Sequence, residues 1–171
     1  LIEEHHASTV LVQETWMEGA SPNLPLTTVA YTNARPAANH LRGGLWSGQT
    51  HPSESPHTNT FCSPNLEFTS LDTLFGSTKV SIINIYLGHD TSSPYDDSHL
   101  INHIKHLQAK NQKIILLGDF NVNVNTNHWL KFIDDPDLPT NSIKNLRART
   151  LGRLINLNLR IANPKQNNIF E

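Results

Sequence analysis

Apolar positions gather in short dense runs separated by polar punctuation. TVLVQET (Thr9 to Thr15) is β-branched and apolar, and reads as a buried strand ending at Glu14. TTVAYTN (Thr27 to Asn33) alternates and predicts a second strand. From Ala34 to Asn65 the chain turns to Pro, Ser, His, Asn and Gly, which predicts loop with one short strand, GGLWSG (Gly43 to Gly48). LEFTSL (Leu66 to Leu71) and KVSIINIYL (Lys79 to Leu87) are two further strands, and the Gly76-Ser77 step between them suits a hairpin turn. A helix is predicted from about Pro94 to Ala109, with Ser93 as N-cap, Asp96 and Asp97 in its first turn, and Leu100, Ile101, Ile104 and Leu107 at helical spacing. KIILLGD (Lys113 to Asp119) is a continuous apolar run, the pattern of a strand covered on both faces. A second helix is predicted over Ala148 to Leu157, and LRIAN (Leu159 to Asn163) as a strand closed by Pro164.

Strands outnumber helices and the helices lie between strands. This predicts an α/β layered domain with mixed sheets, spanning residues 1 to 171 as a single partial domain. Composition adds exclusions. The net charge of −2 removes a bulk basic surface, so charge alone makes no case for nonspecific nucleic-acid binding. One cysteine, Cys62, cannot form an internal disulfide framework. No run approaches the roughly 18 apolar residues of a membrane span, so no membrane partner is expected.

The chemistry sits at strand ends. Glu14 ends one strand and Asp119 another, and carboxylates on separate strand ends can converge on one hard cation. Asn84 and Tyr86 stand at alternate positions and so share a face. An acid followed by an amide two residues on, Asp119 and Asn121, can orient a water for attack, and a Tyr hydroxyl can bond a phosphate oxygen. Singly, each is as well explained as a turn former or a cap. Together they suit metal-assisted phosphoester hydrolysis.

LVQETW (Leu11 to Trp16), Gly43-Gly44, NIYLG (Asn84 to Gly88), LLGDFNVNVNTNHW (Leu116 to Trp129) and LRARTLGRLINLNLRIANP (Leu146 to Pro164) occur in a recognisable order. The chain resembles the endonuclease/exonuclease/phosphatase superfamily, that of deoxyribonuclease I, and within it the endonuclease domains of non-LTR retrotransposons. The resemblance implies a two-sheet α/β sandwich with outer helices, and DNA as substrate. By that resemblance Glu14 is the metal-binding Glu, with Mg²⁺ or Mn²⁺ as cofactor. Tyr86 touches the scissile phosphate, Asp119 positions or deprotonates the water, and Asn121 orients it. Asn84 supports the site. A longer polyprotein with a reverse transcriptase, and a nuclear setting, are implied by the same lineage.

The family also opens with an Asn-bearing strand and closes with a Ser-x-Ile-Asp segment and an Asp-His pair, none of which has a counterpart here. The expectation is therefore an incomplete domain with weak or lost activity. The alternatives are a phosphatase of the same fold, which His128-Trp129 and Arg147-x-Arg149 disfavour, and a non-catalytic binding or vestigial domain. His99, His103 and His106 share a helical stripe, but no carboxylate or Cys completes a zinc set at ligand spacing, so a solvated flank is expected.

Overall fold

The computed structural model describes residues 8–16, 28–33, 35–37, 40–50, 57–91, 93–123 and 126–159. The chain divides into two units, Leu1–Phe120 and Asn121–Glu171. Together they contain α-helices with antiparallel and mixed sheets, an α/β architecture.

In the first unit, strands β1 (Thr9–Val12), β2 (Thr28–Tyr31) and β5 (Trp46–Gln49) form one antiparallel sheet in the order β1-β5-β2. Strands β3 (Arg35–Ala37) and β4 (His40–Arg42) pair as a separate hairpin. The larger sheet runs β6-β7-β8-β9, with β6 at Thr58–Cys62, β7 at Leu66–Phe75, β8 at Thr78–Leu87 and β9 at Lys113–Asp119. β7 and β8 form a long hairpin closed at Gly76-Ser77, where Gly76 takes φ +61°. β9 returns parallel to β8 after helix α1 (Ser98–Ala109), as a βαβ connection requires.

Alternation along β7 and β8 separates two faces. Leu66, Phe68, Ile83, Ile85 and Leu87 lie on one face, and all are buried. That is the face of α1, whose His103 ring stacks on Phe68 while Leu100, Ile104 and Leu107 are buried. On the other face Leu71, Val80 and Ile82 cluster with Leu11 of β1, so the smaller sheet packs there. The layer between the sheets is partly polar, and several of its groups are paired across it. Ser47 and Thr69 share a hydroxyl–hydroxyl bond at 2.5 Å, and Gln49 Nε2 donates to Asp72 O at 2.8 Å. Hydrogen bonding of this kind removes the penalty of burying such groups.

In the second unit a 3₁₀ turn (Asn127–Trp129) leads into the short helix α2 (Lys131–Asp134) and then α3 (Ile143–Asn156). α3 crosses α2 closely at Gly152, where any side chain would meet the Phe132 carbonyl. Trp129, Phe132, Ala148, Leu151 and Leu154 form the buried side of this unit.

Several expectations need correction. The Ala34 to Asn65 stretch is more than loop, since it carries β3, β4 and β6. β6 (TNTFC) is mostly exposed and polar, an edge strand that apolar periodicity does not register. α1 begins at Ser98, not near Pro94. Asn65 Nδ2 donates to Ser93 O at 3.0 Å and Pro94 O at 3.5 Å, which diverts those carbonyls from helical partners. Asp96 then caps from outside, accepting from Ser98 N at 2.8 Å. α3 starts five residues earlier than its apolar repeat suggests, at Ile143. β9 is not covered on both faces, because Ile115 and Leu117 are 38% and 47% exposed and β9 pairs only with β8 among the described residues. The expected strand over 159–163 falls largely outside the described residues. The histidine stripe is not uniformly solvated: His99 and His106 are exposed, but His103 is half-buried and bonded to Asn59 at 3.1 Å.

Candidate functional site

β1 ends because the chain turns out of the sheet. Glu14 takes φ +49° and Trp16 φ +52°, both left-handed, so the ladder to β5 stops at Val12. Two carbonyls hold the turn: Thr15 N–H donates to Gly44 O at 3.1 Å, and Trp16 N–H to Gly43 O at 3.2 Å. Gly43 and Gly44 sit at φ +71° and +87°, where a side chain would be strained.

Beneath that glycine pair lies Glu67, fully buried in β7. Its Oε2 accepts from Gly44 N–H at 2.9 Å and from the Thr32 hydroxyl at 2.9 Å, and Thr32 Oγ1 in turn accepts from Leu45 N–H at 2.8 Å. A buried carboxylate thus fixes the loop that holds the Glu14 turn. Sequence reading missed this residue. Its one signal was an acid inside the otherwise apolar and hydroxyl run LEFTSL, where an unpaired carboxylate would be costly.

Glu67 stands directly opposite Tyr86 in the β7–β8 ladder, and Tyr86 pairs with Asp119 in the parallel β8–β9 ladder. Neighbouring strands lie about 4.8 Å apart, so these are immediate neighbours on one face. The Tyr86 hydroxyl donates to Glu14 Oε1 at 2.9 Å. Burial first, then this hydrogen bond and the charges of Glu14, Asp119 and Glu67, push the phenol up to about 12. Tyr86 therefore stays a protonated donor across the physiological range.

Asp119 closes β9 and is exposed. Gly118 before it takes φ +148°, and a Cβ there would strike the Ile85 carbonyl. The Gly-Asp step is thus set by a close approach of β9 to β8. Asn84 shares the Tyr86 face and ties the sheets together. Its Nδ2 donates to Val12 O at 3.1 Å and Trp46 O at 3.3 Å, while its Oδ1 accepts from Gln13 Nε2 at 3.0 Å.

The structure therefore brings Glu14, Tyr86 and Asp119 together at one end of the first unit, with Asn84 behind them. Asn121 opens the second unit in a left-handed conformation, φ +49°. Within that unit His128 Nε2 is bonded to Asn145 Oδ1 of α3 at 2.5 Å.

The donor set is oxygen-rich. Among the described residues no group of three or more His, Cys, Asp or Glu side chains is gathered to hold a metal. Among the described residues no helix is long and apolar enough to cross a membrane. No protein-family model matches the chain, and no characterised protein is significantly similar to it in sequence.

Proposed function

We propose that this end of the first unit is a metal-dependent phosphodiesterase site acting on DNA, built on a deoxyribonuclease I-like sandwich. The observation that carries the reading is the meeting of Glu14, in the turn after β1, with Tyr86 of β8 and Asp119 of β9 around one phenol. Three polar groups converging from the ends of rigid elements cost stability and serve chemistry better than packing.

In this reading Glu14 holds the divalent cation, with Asp119 contributing its charge beside it. When bound, Mg²⁺ supplies positive charge to the phosphate oxygens. Tyr86 holds Glu14 through its one O–H; with the cation taking up that carboxylate, the same proton would be free to turn to a phosphate oxygen, and its raised pKa keeps it on the phenol. Asp119 is exposed at the strand end, where its carboxylate can accept a proton from an attacking water. The resemblance alone gives the orienting of that water to Asn121, which opens the second unit, and the site proposed on the first unit does not rest on it.

The test is nicking of supercoiled plasmid in Mg²⁺ or Mn²⁺, with Asp119→Ala, Glu14→Gln and an EDTA control. Slow nicking lost in both variants supports the reading. Nicking unchanged by both variants, or none at high enzyme and Mn²⁺, overturns it and leaves the non-catalytic alternative. Cleavage of a phosphoinositide but not plasmid would move the same residues to the phosphatase alternative.

A further inference from the structure

Trp16 stands two residues after Glu14 and is 57% exposed. The chain has three tryptophans, and the other two, Trp46 and Trp129, are 3% and 6% exposed. Isolated exposed apolar residues need no explanation in general. This one differs because its exposure is enforced. A bulky residue at φ +52° is a genuine conformational outlier, and it persists only where the surroundings over-determine it. Here they do: the Trp16 N–H is held by Gly43 O, the adjacent Thr15 N–H by Gly44 O, and Gly44 N–H by the buried Glu67 carboxylate. The fold therefore spends a strained backbone and a buried acid to present an indole to solvent. It does so within about 7 Å of chain from the carboxylate bonded to Tyr86.

We infer that Trp16 is a stacking platform for a nucleobase next to the phosphate, a specificity element that selects nucleic acid over small phosphoesters. The inference rests on the phosphodiesterase reading for the position of the phosphate. The chemistry of the pair is complementary. Glu14 and Asp119 make the phosphate end anionic and dependent on a cation, so they contribute no affinity for a nucleotide by themselves. A rigidly held indole supplies attraction that is indifferent to charge and to base identity, because every base offers a π-face. It requires a base that is unpaired or splayed from its neighbours. The favoured substrate is thus single-stranded or distorted DNA rather than regular duplex.

Trp16 is also the chain's one solvent-exposed indole, which makes the test direct. Its emission is followed in Mg²⁺ with the Asp119→Ala protein, where no hydrolysis is expected, while a short single-stranded DNA is added. The control is an oligomer of the same length carrying abasic sugars. The base-bearing strand should quench the exposed indole and protect it from iodide, and the abasic strand should do neither. By fluorescence anisotropy of a labelled strand, Trp16→Ala should weaken binding about 5- to 150-fold, the range for loss of one base–aromatic stack. Trp16→Phe should retain most of the affinity, which separates stacking from misfolding. Equal quenching by the abasic oligomer, or affinity unchanged within about twofold in Trp16→Ala, overturns the inference. Base-dependent quenching without Asp119-dependent nicking would keep the platform and remove the phosphodiesterase reading. Nicking without any base-dependent signal would do the reverse.

Discussion

The phenol of Tyr86 in β8 donates to Glu14 Oε1 at 2.9 Å, joining it to a residue 72 positions away in the turn that follows β1. This single bond links the turn that ends β1 to the larger sheet. After burial, it is the next cause of the raised Tyr86 pKa. Ultraviolet titration should show a phenol ionising near 12, and Tyr86→Phe should remove that step. Glu14→Gln should lower it, by removing one charge, without returning it fully to 10, because burial is the largest cause. The linked stability has a definite sign. The folded phenol holds its proton more tightly than the unfolded one, so its contribution is complete below pH 10 and is lost as pH rises from 10 through about 12. Alkaline unfolding should therefore be shallower over that window in Tyr86→Phe.

Glu67 provides the second prediction. Its Oε2 receives both Gly44 N–H and the Thr32 hydroxyl in a fully buried setting. Glu67→Ala orphans both donors, and each orphan costs about 1–3 kcal/mol, so a loss of about 2–6 kcal/mol is expected in urea unfolding. Glu67→Gln keeps an acceptor oxygen and should cost markedly less. Where the fold survives, the Glu14 turn should loosen. Iodide quenching of the exposed Trp16 would report it, since the other two indoles are buried. Equal stability of the two variants would contradict the role given to Glu67.

What the sequence made legible, and what it hid, follows from how each feature is encoded. The β7–β8 hairpin was readable because long apolar runs flank a Gly-Ser turn, although β7 runs on to Phe75 through residues that are no longer buried. Glu14, Tyr86 and Asp119 were readable as polar groups at the ends of, or alternating along, core strands. The brace behind them was not, because Glu67 acts through a backbone N–H and a distant hydroxyl that leave no local pattern. β9 misled for a different reason. An apolar run reports that a strand is suited to burial, but what covers it depends on neighbours elsewhere in the chain, and here Ile115 and Leu117 remain exposed. α1 misled through competition, since the Asn65 side chain took the carbonyls that an earlier helix start would need.

His103 carries a pH prediction. Burial beside Phe68, reinforced by the nearby His106 and opposed by Asp72, lowers its pKa below 6.5. The unfolded imidazole then takes a proton at a higher pH than the folded one, so the contribution is present above pH 6.5 and is lost as pH falls below it. The urea midpoint should drop as pH falls from about 7 to about 5. His103→Phe can keep the stack on Phe68 but cannot titrate, so its midpoint should drop less over the same interval. Parallel pH profiles for the two proteins would show that His103 is not the group responsible.

Three glycines separate backbone strain from steric conflict. Gly76 has φ +61° with nothing within 4 Å of an added methyl, so Gly76→Ala meets strain alone, about 1 kcal/mol. Gly152 lies in α3, where alanine is ordinarily favoured by about 1 kcal/mol, but its methyl would meet the Phe132 carbonyl. Forcing α2 and α3 apart costs about 1–3 kcal/mol, so Gly152→Ala should destabilise against its own helix propensity. Gly118 combines both penalties: φ +148°, and a methyl directed into the Ile85 carbonyl of the neighbouring strand. Strain of about 1–3 kcal/mol adds to a similar packing cost, giving about 2–6 kcal/mol for Gly118→Ala. The expected order of urea midpoints is wild type, then Gly76→Ala and Gly152→Ala, then Gly118→Ala. Because β9 leads directly from Gly118 into Asp119, any folded Gly118→Ala protein should also lose Mg²⁺-dependent nicking more completely than its stability explains. A Gly118→Ala protein as stable as Gly76→Ala would mean that β9 does not approach β8 as closely as the register requires.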